Sequence, residues 1–277
     1  LLKQVAETLR KHDKSTALNG YEDGAKRAWE LASAVWSTVA GLGIDYAYPP
    51  ASFERQGQKV RSPSQIVDAR IGTCFDLALL FAATLEQIGL HPLIVFTKGH
   101  AFAGFWLKAE EFSTVVVDEI TALRNRVRLQ EMVFFETTLV THRPSPSFSF
   151  AVSHGASQIA EGKDDTFELA VDIRRARMQR IRPLASAESS QPTPQPGVEA
   201  IPLEPGFDEA PNLPDEDIGE PASETLSPTD RLMRWQRKLL DLSLRNNLLN
   251  FRPGKKTLSL DVPDAGALED LIAQGQT

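Results

Sequence analysis

Apolar residues recur at helical spacing in the first forty residues of the chain. Six of them follow one another mainly at intervals of three and four: Ala25, Trp29, Ala32, Val35, Trp36 and Val39. This spacing predicts an amphipathic helix that ends near Gly41 and Gly43. After an irregular segment, a shorter helix is predicted to begin at Ser64 and to stop before Gly72.

The most apolar segment of the chain is residues 74–88. Thr73 can cap a helix there, and Asp76, three positions later, supplies the acidic partner of a capping box. Apolar residues surround the predicted helix on nearly every side, which is typical of a central buried helix. Gly89 is suited to the position just after its end.

The second half of the N-terminal region alternates between strand and helix patterns. The predicted strands are residues 93–97, 100–107, 132–141 and 167–173, and the predicted helices are residues 120–129 and 150–160. Lys98 and Gly99 form a tight turn between the first two strands, and a basic tail, residues 174–182, follows the last one. Helices followed by an antiparallel meander predict an α+β domain.

Residues 184–228 differ in composition from the rest of the chain. They hold nine of the 18 prolines, ten acidic residues and no basic residue, so we expect a disordered acidic linker. The predicted organisation is a cysteine domain at 1–183, this linker at 184–228, and the truncated start of a helical domain at 229–277. Without the linker, 27 acidic residues remain against 30 basic ones. This near balance argues neither for nor against binding to nucleic acid.

The composition places the chain among ordinary globular proteins, with 42% hydrophobic and 24% charged residues. It contains no apolar run of 18 residues and no signal-peptide pattern, so we expect a cytoplasmic location. The chain starts at Leu1 and stops just after a helix-like run, so we expect a segment of a longer protein.

Neither a metal nor a cofactor is expected. One cysteine excludes an internal disulfide and a paired-thiolate metal site, and the histidines have no metal-site spacing. The Gly254-Lys255 pair lacks the upstream glycine and the following Ser or Thr of a phosphate-binding loop, because Leu249 and Lys256 occupy those places.

Cys74 and His100 are the candidate reactive pair. At the first turn of the buried helix, unpaired N–H groups and the helix dipole favour a thiolate, which is the nucleophile in cysteine acyl transfer. The same N–H groups suit the oxyanion of a tetrahedral intermediate. His100 begins a strand and shares a face with Phe102 and Trp106. If that sheet packs against the helix, its imidazole can serve as the base.

Two carboxylates compete to orient the imidazole. Glu136 is predicted in the middle of an apolar strand, where a carboxylate is costly unless a neighbouring histidine pairs with it. Asp118 is the alternative, although its place before helical spacing also suits an N-cap. The pairing argument favours Glu136, which could instead be a solvated residue of an edge strand.

Three motifs resemble the transglutaminase-like branch of the papain-like cysteine peptidase superfamily. They are Arg-Ile-Gly-Thr-Cys-Phe-Asp-Leu-Ala (70–78), Gly-Leu (89–90) and Gly-His-Ala-Phe-Ala-Gly-Phe-Trp (99–106), within a resemblance that covers residues 49–141. The resemblance implies a cysteine-bearing helix packed on an antiparallel sheet, with Cys74 as nucleophile, His100 as base and Glu136 as the orienting acid. In that superfamily the acid is usually an Asp in an Asp-Pro-Thr-like context, whereas Glu136 precedes two threonines.

A second string, Arg-Leu-Met-Arg-Trp-Gln-Arg-Lys-Leu-Leu-Asp-Leu-Ser-Leu-Arg-Asn-Asn-Leu-Leu-Asn-Phe-Arg (231–252), lies after the linker. It is similar to the start of an uncharacterised domain in large bacterial helicase-like proteins with a superfamily-one motor, over residues 230–271. The resemblance implies a multidomain nucleic-acid motor used in genome defence, with the downstream motor as a partner of the cysteine domain.

Two functional interpretations therefore stay open. In the first, the domain is a cysteine peptidase or transglutaminase-like acyltransferase acting on a protein or peptide. In the second, it is an inactive copy of the fold that binds a protein and regulates the motor. The arginines of residues 174–182 suit a solvated basic face better than phosphate contacts, and the pattern of Arg231, Arg234, Arg237 and Lys238 suits an amphipathic docking helix.

Overall fold

The computed structural model describes residues 1–48, 59–183 and 206–213. The chain divides into two compact units, Leu1–Leu226 and Ser227–Thr277. The second unit, with the helix predicted after the linker, lies outside the described residues. Among the described residues, no helix has the length and apolar character needed to cross a membrane.

The first unit is a mixed α+β domain, as predicted. Its helices are α1 (Leu2–Lys11), α2 (Gly24–Ala40), α3 (Pro63–Ala69), α4 (Cys74–Gln87), α5 (Ile120–Arg128), α6 (Phe148–Gln158) and α7 (Ile173–Met178), with a 3-10 helix at Thr137–Thr141. Its strands are β1 (Asp45–Tyr46), β2 (Ile71–Gly72), β3 (Pro92–Thr97), β4 (His100–Trp106), β5 (Val116–Val117), β6 (Met132–Phe135) and β7 (Phe167–Asp172).

Five strands form an antiparallel sheet in the order β5-β7-β3-β4-β6, and β1 pairs with β2 in parallel. The β3–β4 hairpin closes where Thr97 pairs with His100, and Gly99 supplies the positive φ of 73° in the turn. The predicted meander is incomplete, because the last strand, β7, does not lie beside β6. It lies between β3 and β5 and pairs with both.

Helix α4 lies between α2 and the sheet, as expected of a helix without a polar face. Its Phe81 ring stacks on Trp36 of α2, with 5.7 Å between the ring centroids. On its other side, Ala78 and Ala82 pack against Ile94 and Ala101 of the sheet. Small residues on this side let the helix approach the strands closely, so α4 is fixed relative to β4.

The two faces of β4 serve different cores. Ala103 and Phe105 belong to the core shared with α2 and α4, whereas Phe102 and Trp106 belong to a second core under α5. The ring of His100 stacks over Phe102, with 6.1 Å between centroids. The face that His100 shares with Phe102 and Trp106 is therefore not the one that packs along α4, and His100 reaches the helix from the end of its strand.

Part of the acidic linker is ordered. Residues 206–213 pack within the first unit, where Phe207, Ala210 and Leu213 contact the main core. The prediction of disorder is therefore wrong for these eight residues, because their apolar side chains find a surface to cover. The other linker residues lie outside the described part of the chain.

Candidate functional site

Cys74 is the first residue of α4, and the cap before it is fixed by reciprocal hydrogen bonds. The Thr73 hydroxyl accepts from the Asp76 backbone N–H at 3.2 Å, and the Asp76 carboxylate accepts from the Thr73 N–H at 3.0 Å. This is the capping box that the sequence predicts. It holds the first turn of α4, and with it the thiol, at a defined place.

Asp76 also anchors the segment that approaches α4. Its side chain is fully buried and accepts from the Arg61 backbone N–H at 2.8 Å and from the Arg61 guanidinium at 2.7 Å. Burial raises the pKa of Asp76, but the hydrogen bonds from Arg61 and Thr73 outweigh it and lower the pKa below its ordinary value. Asp76 is therefore a buried, fully partnered anion at the start of the helix.

His100 pairs with Glu136 rather than with Asp118. The distance from His100 Nε2 to Glu136 Oε2 is 2.7 Å. The other carboxylate oxygen, Glu136 Oε1, accepts from the Thr138 backbone N–H at 3.0 Å and from the Thr138 hydroxyl at 2.7 Å. With both oxygens engaged, the carboxylate has one orientation, and it leaves the second ring nitrogen of His100, Nδ1, for another partner.

Cys74 interacts with the same ring. Its thiol is 5% exposed, and it also interacts with the Ala101 backbone N–H. Burial raises the pKa of the thiol, whereas the hydrogen bonds to His100 and Ala101 and the charge on the imidazole lower it, and the net pKa lies below the ordinary value.

The imidazole responds in the opposite direction. Its hydrogen bonds to Cys74 and Glu136 raise the pKa of His100 to about 10, against a smaller lowering from burial. For Glu136, burial raises the pKa, but the hydrogen bond and charge of His100 and the bonds from Thr138 bring it below its ordinary value. The lowered thiol pKa and the raised imidazole pKa both favour a thiolate beside an imidazolium, and the Glu136 carboxylate pairs with the other side of that ring.

Tyr46 is a member of the site that the sequence analysis missed. It lies on β1, which pairs with Ile71 and Gly72 immediately before the cap of α4. Its hydroxyl interacts with the Cys74 thiol. Burial and the charge of Cys74 raise the pKa of Tyr46 to about 12, so the hydroxyl keeps its proton at neutral pH. A two-residue strand leaves no periodic signal; the only hint is a tyrosine pair before two prolines.

Glu136 does not lie within a strand, contrary to the prediction. Strand β6 ends at Phe135, and Glu136 is the N-cap of the 3-10 helix, with φ −76° and ψ 106°. Its backbone N–H donates to the Ala151 carbonyl of α6 at 2.9 Å. Helix α6 can come this close because it has Gly155 there: a Cβ on that glycine would lie 2.5 Å from the Phe134 carbonyl.

Asp118, the alternative acid, lies far from the imidazole along the sheet. It follows β5 at one edge, whereas His100 is on β4 next to the opposite edge strand, and its side chain is exposed. It is not the N-cap of α5 either, because that position belongs to Glu119.

The remaining candidates stay apart from this site. His91 bonds the Glu110 carbonyl, His154 bonds the Phe150 carbonyl and His12 stacks on Phe207. In the basic tail, Arg177 makes a bidentate ion pair with Glu86 at 2.7 and 3.0 Å. The arginines and lysine of residues 231–238 lie outside the described part. No group of three or more His, Cys, Asp or Glu side chains suits a metal ion within residues 1–48, 59–183 and 206–213.

Comparison with known proteins gives one partial match. Residues 238–277 match a family described as a protein of unknown function, DUF4011. No curated protein and no solved structure matches the chain significantly. The match covers part of the string predicted to resemble an uncharacterised domain, and it does not extend to the residues of the site.

Proposed function

We propose that the N-terminal unit is a thiol-dependent enzyme that cleaves or transfers an acyl group at a peptide or glutamine-type amide. The observation that carries this proposal is the 2.7 Å contact between His100 Nε2 and the Glu136 carboxylate, on a ring that also interacts with the buried Cys74 thiol. A nucleophile, a base within reach and a group that orients the base are what acyl transfer needs.

The reaction follows from the protonation states. The Cys74 thiolate attacks the amide carbonyl carbon and forms a C–S bond, and the carbonyl electron pair moves to oxygen. The backbone N–H groups at the start of α4 are suited to stabilise that oxyanion. When the intermediate collapses, the C–N bond breaks and the imidazolium of His100 gives its proton to the departing amine.

The second half returns the enzyme to its starting state. Neutral His100 takes a proton from water, or from an acceptor amine, as that group attacks the thioester carbonyl. The C–S bond then breaks, the thiolate re-forms beside the imidazolium, and the product is an acid or a new amide. Glu136 keeps the ring in place and stabilises its charge through both halves.

The fold and the family context of this proposal rest on resemblance. A helix that begins at the cysteine and packs on an antiparallel sheet is consistent with a transglutaminase-like member of the papain-like superfamily. The match of residues 238–277 to a family of unknown function supports the idea that an uncharacterised domain follows. From these we propose an accessory module of a bacterial helicase-like protein that acts in genome defence.

One observation favours a second function, an inactive fold that binds a protein and regulates the motor. The thiol is only 5% exposed, so a substrate carbonyl has little access to sulfur in this conformation. In this alternative the Cys74→Ala variant of the parent protein keeps its activity. Loss of that activity, with folding preserved, would reject the binding module.

The deciding experiment measures how fast a small thiol-reactive probe labels the single cysteine at neutral pH. We compare the wild type, Cys74→Ala, His100→Ala and a matched control, His154→Ala, whose exposed ring bonds only the Phe150 carbonyl and the Ser153 hydroxyl of its own helix among the described residues. Fast labelling of the wild type and the control, slow labelling of His100→Ala and none of Cys74→Ala are expected. Equal, slow labelling of the wild type and His100→Ala contradicts an activated thiolate.

A further inference from the structure

Residues 206–213 form a segment without helix or strand that lies on the surface made by α1, α2 and α6; we call it the docked segment. It comes from the acidic, proline-rich part of the chain, where composition alone predicts no structure. Its contacts fall into three classes: apolar contacts, backbone hydrogen bonds and charged contacts.

The apolar contacts centre on Phe207. Its ring stacks on His12, next to the end of α1, with 4.2 Å between centroids and 16° between the planes. Ala210 and Leu213 extend this contact on the same core. Gly206 enters with a φ of 71°, and a Cβ there would lie 2.7 Å from the Pro146 carbonyl oxygen, so the site accepts only glycine at this position.

The polar contacts centre on Asp208. Its carboxylate accepts from the Ser149 backbone N–H in the first turn of α6 at 2.6 Å, where the helix dipole favours a negative charge. Its own N–H donates to the hydroxyl of Ser33, a fully buried residue of α2, at 2.7 Å. Next to it, the Gly206 carbonyl accepts from the Phe148 N–H at 3.0 Å.

A third contact is electrostatic. The Lys14 ammonium lies 3.2 Å from the Glu209 carboxylate and 3.4 Å from the buried Glu30 carboxylate of α2. Within the sequence Gly-Phe-Asp-Glu, the stacking histidine matches Phe207, the helix N-terminus matches Asp208 and the lysine matches Glu209. The surface is therefore complementary to this peptide in shape, in hydrogen bonding and in charge.

The surface does not depend on the docked segment for its own structure. Helix α6 has its own cap, because the Ser147 hydroxyl accepts from the Phe150 N–H at 3.3 Å. Helices α1 and α2 are joined by a hydrogen bond between the hydroxyls of Thr8 and Thr38 at 3.1 Å. The docked segment adds no strand to the sheet, so its removal takes partners from the Phe148 and Ser149 N–H groups at the start of α6 but leaves the hydrogen bonds within the helices and between the strands in place.

From these observations we propose that the surface of α1, α2 and α6 is a peptide-binding site whose ligand is the acidic segment Gly-Phe-Asp-Glu of the same chain. The segment docks and undocks as a whole while the helices and the sheet of the first unit stay folded.

The test uses the full chain and a labelled peptide of residues 205–214. The variant Phe207→Ala/Asp208→Ala empties the site, and Asn212→Ala, an exposed position of the same segment, is the matched control. By fluorescence anisotropy, the emptied variant is expected to bind the peptide at least tenfold more tightly than the wild type or the control, whose sites are occupied in cis. Hydrogen exchange at the Ser149 amide speeds up in the emptied variant and slows again with peptide.

Two results would overturn the proposal. If the emptied variant keeps the slow exchange of its core amides yet binds no peptide at millimolar concentration, the surface is not a peptide site. If it instead loses protection throughout the core, the segment is an integral part of the fold and not a ligand. A peptide with the Phe and Asp replaced by Ala must fail to bind in either chain.

Discussion

Glu136→Gln is the substitution that bears most directly on how the site is organised. It keeps the size of the side chain and removes its charge. In the structure one carboxylate oxygen pairs with His100 at 2.7 Å and the other accepts two hydrogen bonds from Thr138. An amide has only one acceptor oxygen, so its NH₂ group must face either the imidazole or the Thr138 donors.

The size of the effect follows from that loss. A hydrogen bond to a charged partner contributes about 1.5 to 3 kcal/mol, and 1.36 kcal/mol corresponds to one pKa unit. The pKa of His100 should therefore fall from about 10 by roughly 1 to 2. The equilibrium constant between the thiolate–imidazolium pair and the neutral pair should fall by about 10- to 150-fold, and the pH dependence of labelling should shift to higher pH.

The assay is the labelling rate of Cys74 as a function of pH for the wild type, Glu136→Gln and the control Glu131→Gln. The Glu131 side chain is 14% exposed and pairs with Arg126 and Lys108 instead of with a histidine. We expect the control to be labelled at the wild-type rate and Glu136→Gln to be labelled more slowly. Wild-type labelling of a folded Glu136→Gln would refute the reasoning, because the carboxylate would then have no influence on the thiol.

Three other substitutions test separate parts of the account. Asp76→Asn should destabilise the fold by about 3 kcal/mol in urea unfolding, because it leaves the Arg61 guanidinium without its anion. The folded pKa of Asp76 is lowered, so this stabilisation is present above about pH 4 and is lost as pH falls through the folded pKa. If the variant and the wild type lose the same stability on acidification, this reasoning is wrong. Tyr46→Phe should raise the thiol pKa by less than His100→Ala does, seen in the pH dependence of labelling; an unshifted curve would remove Tyr46 from the site. Gly155→Ala should cost about 1 to 3 kcal/mol in thermal unfolding and slow labelling as well, because the new methyl group collides with the backbone of β6 before Glu136; wild-type stability would show that α6 can move aside.

The parts of the site that sequence could predict are those that local chemistry determines. The start of α4 follows from Thr73 and Asp76, which are three residues apart and need no other partner. The place of His100 follows from a two-residue turn with a glycine. These signals are contained within a few residues, so a pattern of spacing is enough to find them.

What sequence could not predict depends on distant contacts. Strand β6 ends after Phe135 because the Glu136 N–H donates to the Ala151 carbonyl of α6 instead of to a neighbouring strand. The place of β7 beside β3 is a choice of topology that no periodicity records. Composition averaged over the linker concealed Phe207, whose partner His12 is far away in the chain.

The central claim is that the Cys74 sulfur is an anion held by His100 at neutral pH, and ultraviolet titration of thiolate absorbance measures this directly. The protein has one cysteine, so the difference between the wild type and Cys74→Ala reports this thiol alone. Because its pKa is lowered, the thiolate should persist as pH falls below about 8.5, the ordinary thiol value, and His100→Ala should move the midpoint upward. A wild-type midpoint at or above about 8.5, unchanged in His100→Ala, would contradict the account.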